Sequence, residues 1–130
     1  YTVPGETDET CIAQIMEAAE KLGLSGKVDV RLKPRKSPYM QSFALKEDHP
    51  LVKILQEEFH SVTGKDLPCA YDASVCDSNI LAVILGIPVV TFGPSGGNMH
   101  GDNEYGYAWQ VKNCGEVYRR TVARLLSGEV

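Results

Sequence analysis

The sequence predicts an α/β protein containing part of a layered sheet, and three observations predict it. From Leu67 onward, short apolar stretches alternate with helical patterns, each bounded by glycine or proline. Before that point, two segments carry apolar residues at helical spacing and one alternates with period two. Finally, the apolar stretch Ile87 to Phe92 delivers a glycine-rich loop, Gly93-Pro94-Ser95-Gly96-Gly97, and the polar residues His100, Asp102, Asn103 and Glu104 follow directly. Open α/β sheets present ligand sites in this way, beyond the carboxyl end of a strand.

Taken in order, Val3-Pro4-Gly5 ends any preceding strand, and Thr7 is positioned to cap a helix with Asp8 and Glu9 in its first turn. Ile12, Ile15, Met16, Ala19 and Leu22 form its apolar face, and Gly23 ends it. Lys27 to Lys33 alternates polar residues with Val28, Val30 and Leu32, the pattern of a half-buried strand stopped at Pro34. Pro34 to Pro38 is a turn or crossing, and Tyr39 to Leu45 is a second strand or an extended return. Lys46-Glu47-Asp48-His49-Pro50 is an internal boundary, with Asp48 as cap and Pro50 in the first turn of a second helix. Leu51, Ile54, Leu55, Phe59 and Val62 mark that helix's buried stripe, Gly64 ends it, and His49 and His60 fall on its solvated parts. Cys69-Ala70-Tyr71 reads as a short strand. Asp77 or Ser78 caps a third helix through Leu85, stopped by Gly86, and Ile87 to Phe92 reads as a buried strand. Asn113-Cys114-Gly115-Glu116 resembles a capping box opening a last helix, with Val117, Tyr118, Val122, Leu125 and Leu126 facing inward.

The chain has 130 residues, 43% of them hydrophobic, enough for a core. A net charge of -4 and one short basic cluster, Arg31 and Lys33 to Lys36, argue against nucleic acid as a partner. The longest apolar run, Ile80 to Val90, is broken by Gly86 and Pro88 and falls short of the ~20 residues of a membrane span. Cys11, Cys69, Cys76 and Cys114 make no disulfide pattern, which fits a soluble protein of the reducing cytoplasm. The start at Tyr1-Thr2-Val3-Pro4, without initiator Met or signal peptide, reads as that of an excised fragment.

Three chemistries are open from the residues alone. His100 and Glu104, four apart, either share one metal or merely brace a surface turn. Cys76, in the turn Cys76-Asp77-Ser78, is either a thiol activated at a helix start, needing a histidine base, or a packed thiol beside a capping Asp77. The glycine loop can cradle phosphate through backbone N–H groups, although it lacks the Lys-Ser/Thr of a P-loop.

Several stretches also resemble one family. Thr2-Val3-Pro4-Gly5-Glu6 is similar to its T-[IV]-P-G-E strand end, and Val75-Cys76-Asp77-Ser78-Asn79 to its T-S-D-A-N turn. Leu85-Gly86-Ile87-Pro88 through Phe92-Gly93-Pro94 is similar to L-G-I-P…F-G-P, and Met99-His100-Gly101-Asp102-Asn103-Glu104-Tyr105 to x-H-x-x-[ND]-E-[YF]. Together, in this order, they resemble the C-terminal half of the dinuclear zinc metallopeptidase/deacylase family, which includes acetylornithine deacetylase, succinyl-diaminopimelate desuccinylase, aminoacylase-1 and the glutamate carboxypeptidases. The resemblance implies the C-terminal part of a layered α/β metallopeptidase catalytic domain (residues 48–130), preceded by the end of an α+β lid domain that often mediates homodimerisation (residues 1–47). It implies a hydrolase that cleaves the amide bond of an N-acyl amino acid or small peptide with two zinc or cobalt ions. On the same ground His100 is a metal ligand, with Glu104, Asn103 and Asp77 as its polar surroundings, and Gly93, Gly96 and Gly97 line the substrate. Tyr1 stands where many members have an arginine for the substrate carboxylate, with Arg35 as the substitute, and Cys76 replaces a usual serine. The remaining ligands and the glutamate base are expected from the N-terminal half, so this segment alone is expected to be inactive. The alternative is a non-catalytic dimerisation or binding module.

Overall fold

The computed structural model describes residues 2–36, 40–72 and 74–128; the expectations for Tyr1, Pro38 and Tyr39 fall outside them. Its elements are helices α1 (Asp8–Lys21) and α2 (Pro50–Thr63), a π-helix (Ile80–Ile84), strands β1 (Gly96–Gly97) and β2 (Tyr105–Gly106), and helix α3 (Ala108–Ser127). Two compact units divide the chain: residues 1–44 with 73–87, and residues 45–72 with 88–130. No helix among the described residues is long and apolar enough to cross a membrane.

In the first unit, α1 begins where the expected cap stands. The Thr7 hydroxyl accepts the Thr10 N–H at 3.3 Å, while Thr10 Oγ1 accepts the Thr7 N–H at 2.9 Å, so each threonine satisfies an otherwise orphaned donor. The helix leaves through Gly23 at φ 67, with Gly23 N–H on the Glu20 carbonyl and Leu24 N–H on that of Ala19, a Schellman exit. Its expected apolar face is largely uncovered: Ala19 is buried, but Ile15 is 50% and Leu22 73% exposed.

Lys27 to Lys33 and Ile87 to Phe92 do not join a sheet, nor does Cys69 to Tyr71; the only ladder among the described residues pairs β1 with β2. A strand is defined by a partner for its N–H and C=O groups, and alternation in the sequence cannot supply one. Along the first of these segments Arg31 pairs with Asp29 instead. The expected third helix is a π-helix, with Leu85 N–H on the Ile80 carbonyl at 3.3 Å, and it ends at Gly86 with φ 64. Neither Asp77 nor Ser78 caps it through a side chain. Asn79, only 8% exposed, ties the turn instead: its Oδ1 accepts the Cys76 N–H at 3.1 Å and its Nδ2 donates to the Gln41 carbonyl at 2.8 Å.

The second unit holds the larger buried cluster, made by α2 and α3. His49, not Asp48, caps α2: its Nδ1 accepts the Leu51 N–H at 3.1 Å, ahead of Pro50 in the first turn. His60 is exposed and meets Asp66 at 3.0 Å. Val52, Ile54 and Leu55 are buried, and α2 ends at Gly64 with φ 68 as expected.

Helix α3 starts at Ala108 rather than near Asn113, after Tyr107, which makes no side-chain cap. Its buried residues are Cys114, Val117 and Thr121, whereas Tyr118, Val122, Leu125 and Leu126 are 46%, 52%, 38% and 83% exposed. Polar pairs to α2 accompany this rotation. Arg124 Nη1 lies 2.7 Å from Glu57 and 3.1 Å from Glu58, and Arg120 Nη1 donates to Ser61 Oγ at 2.9 Å. At 3.6 residues per turn, Val111, Tyr118, Val122 and Leu125 form a second apolar arc beside the buried one.

Candidate functional site

The glycine-rich loop is a short hairpin mounted on α3. Phe92 packs edge-on against Phe59 and Tyr118, with centroids 5.9 and 5.4 Å away, and its carbonyl accepts the Tyr118 hydroxyl. Three residues later, Ser95 donates both its N–H and its hydroxyl to Gln110 Oε1, at 2.6 and 2.8 Å. Phe92 meets position 118 and Ser95 meets position 110, so this leg runs antiparallel to the helix. The chain then pairs Gly96 with Gly106 and Gly97 with Tyr105, and β2 passes through Tyr107 directly into α3.

The glycines have a local cause. A Cβ on Gly96 would land on the Tyr105 carbonyl, and one on Gly97 would lie 2.7 Å from the Tyr105 ring, whereas Gly93 faces open space. At Gly96 and Gly97, the absence of a side chain lets Tyr105 cross the hairpin.

The tip is bent by three non-glycine residues in the left-handed region, Asn98 (φ 56), His100 (φ 61) and Asn103 (φ 60). Asparagine and histidine are among the residues that visit this region most readily, and such positions cluster where strain serves a site. Gly101 N–H donates to the Asn98 carbonyl at 2.8 Å, and Asn98 Nδ2 to the Asn103 carbonyl at 3.4 Å. Glu104 Oε2 accepts the backbone N–H of His100 at 3.3 Å. It therefore holds the histidine's main chain, and neither imidazole nitrogen has a partner among the described residues. Tyr105, Tyr107 and Trp109 continue from the tip as exposed aromatic neighbours, with successive centroids 5.6 and 6.3 Å apart.

Gly93, Gly96, Gly97, His100, Asn103 and Glu104 thus belong to one unit, with Glu104 directly on His100. Arg35 and Asp77 belong to the other unit, Arg35 on an open depression with Leu32, Lys33 and Lys36, and Asp77 on an exposed turn. Cys76 shares that turn, its Sγ 2.6 Å from Ser78 Oγ, but all three histidines lie in the second unit. Cys114 is buried, and burial pushes its thiol upward, away from reactivity.

Among the described residues, no three His, Cys, Asp or Glu side chains gather as a metal site. His100 fits a single ligand: it is exposed, its ring nitrogens have no partner among the described residues, and its backbone is held. Comparison with protein-family models, curated proteins and solved structures finds no match. Gln110 escaped the sequence reading, as did the hydrogen bonds of Tyr118 and Asn79. Their partners lie 15, 26 and 38 residues away, beyond any local pattern.

Proposed function

We propose that this chain forms one wall of a metal-dependent amidohydrolase or peptidase, acting on an N-acyl amino acid or small peptide. The observation that carries the reading is His100, whose imidazole has no partner among the described residues, at the tip of a hairpin, while its backbone N–H is held by Glu104. The motif order Thr2-Val3-Pro4-Gly5, Val75 to Asn79, Phe92-Gly93-Pro94 and Met99 to Tyr105 supports the same reading.

On this reading the protein is cytoplasmic and works with two zinc or cobalt ions. His100 contributes one ligand, and a segment outside the described residues contributes the other ligands and the general base. When bound, such ions supply Lewis-acid activation of water and of the amide carbonyl. The chain's own residues orient and enclose. Glu104 and Asn103 keep the tip folded so that His100 has a fixed aim, and the backbone at Gly93 to Gly97 borders the acyl or carboxylate end. The lid residues take part in a homodimer. In an intact enzyme, His100→Ala is expected to lower turnover by at least about 100-fold. Near-normal turnover in that variant would remove His100 from the metal site.

A second reading, a dimerisation module, is favoured by the alternating segment Lys27 to Lys33, which has no ladder partner among the described residues. Light scattering with and without zinc separates the two. A stable dimer indifferent to zinc and to His100→Ala favours the module.

A further inference from the structure

We infer that Gln110 is a positioning residue that sets the aim of His100 through the hairpin's outer leg, the stretch from Phe92 to Ser95 that leads into β1, an inference that rests on the metal-ligand reading of His100. One side-chain oxygen, Gln110 Oε1, accepts two hydrogen bonds from Ser95, the backbone N–H at 2.6 Å and the hydroxyl at 2.8 Å. Both donors are on Ser95, so the amide must present its oxygen. The contact joins the first turn of α3 to the residue immediately before β1, and the β1–β2 rungs lie between it and the tip that carries His100. Tyr118 fixes the same leg at Phe92, one end of a four-residue segment whose other end is Ser95. The hairpin's other leg, β2, runs through Tyr107 directly into α3. The outer leg has no such covalent tie, and Gln110 supplies its restraint at the hinge with the hairpin. Losing Oε1 leaves the Ser95 N–H free of the helix and lets β1 slide on β2, a ladder of only two residue pairs.

The test is a pair of NMR measurements on the full chain: amide exchange and shift at Ser95 and His100, and a zinc titration followed at the imidazoles of His49, His60 and His100. Gln110→Leu keeps the size and removes the acceptor; Gln110→Glu keeps an acceptor oxygen. Ser95→Ala removes one bond of the two and guards against a variant that fails to fold. In Gln110→Leu, Ser95 is expected to lose protection, the His100 amide to shift, and zinc affinity at His100 to fall about tenfold, with His49 and His60 unmoved. Gln110→Glu is expected to restore all three, and Ser95→Ala to fall between. Unchanged Ser95 protection and an unchanged His100 amide in Gln110→Leu would overturn the inference whatever zinc does. If both respond while zinc never selects His100 in the unaltered chain, the brace stands and the metal reading fails.

Discussion

At the scale of single residues, charge is concentrated around Glu116. Hydrogen bonds from Arg119 and then Arg120 hold its carboxyl down to about 2, from an ordinary 4.5. A carboxylate depressed on folding stabilises the native state above its unfolded pKa, and that contribution disappears as pH falls toward the folded value. The pair arrangement at Glu116 is therefore fully effective above about pH 4.5 and declines between there and about 2. An acid titration of α3 helicity should show this component, and Glu116→Gln should lack it. Thr121 presents the opposite case. Its hydroxyl is buried without a hydrogen-bond partner among the described residues, so Thr121→Val should raise stability by about 1 kcal/mol in urea unfolding. A loss of stability instead would mean that the hydroxyl has a partner in solution.

At the scale of elements, three helix ends written in adjacent residues were legible in the sequence, whereas the α2 start was not, His49 rather than Asp48 being its cap. Thr7, Gly23 and Gly64 act within one turn of themselves, and each stands where its local chemistry placed it, but the reciprocal bond from Thr10 was not foreseen. Helix α3 was misplaced for the complementary reason. Its first turn has no side-chain cap, whereas Asn113 to Glu116 imitates a start while lying inside the helix. Its rotation was also illegible, because Arg120 and Arg124 meet Ser61, Glu57 and Glu58 far away in sequence. Of the candidate site, the loop and the pairing of His100 with Glu104 were legible. The target of Glu104, a backbone N–H, was not, because spacing alone leaves ring and main chain equally open.

At the scale of the whole molecule, burial is unevenly shared. The second unit contains Val52, Ile54, Leu55, Cys114, Val117 and Thr121 as buried residues, whereas the first has Ala19 and Asn79 among those described. Stability follows buried contact, so amides of α2 and α3 should exchange at least about tenfold more slowly than those of α1. Equal protection across the three helices would contradict this ranking. The candidate site loop belongs to the better-buried unit. The stem rungs Gly96 with Gly106 and Gly97 with Tyr105 close below residues 98–104, which makes the tip a replaceable cassette. Doubling its length would add only about 0.6 kcal/mol of closure entropy. New chemistry can thus be written into those seven positions without rewriting the helix that carries them.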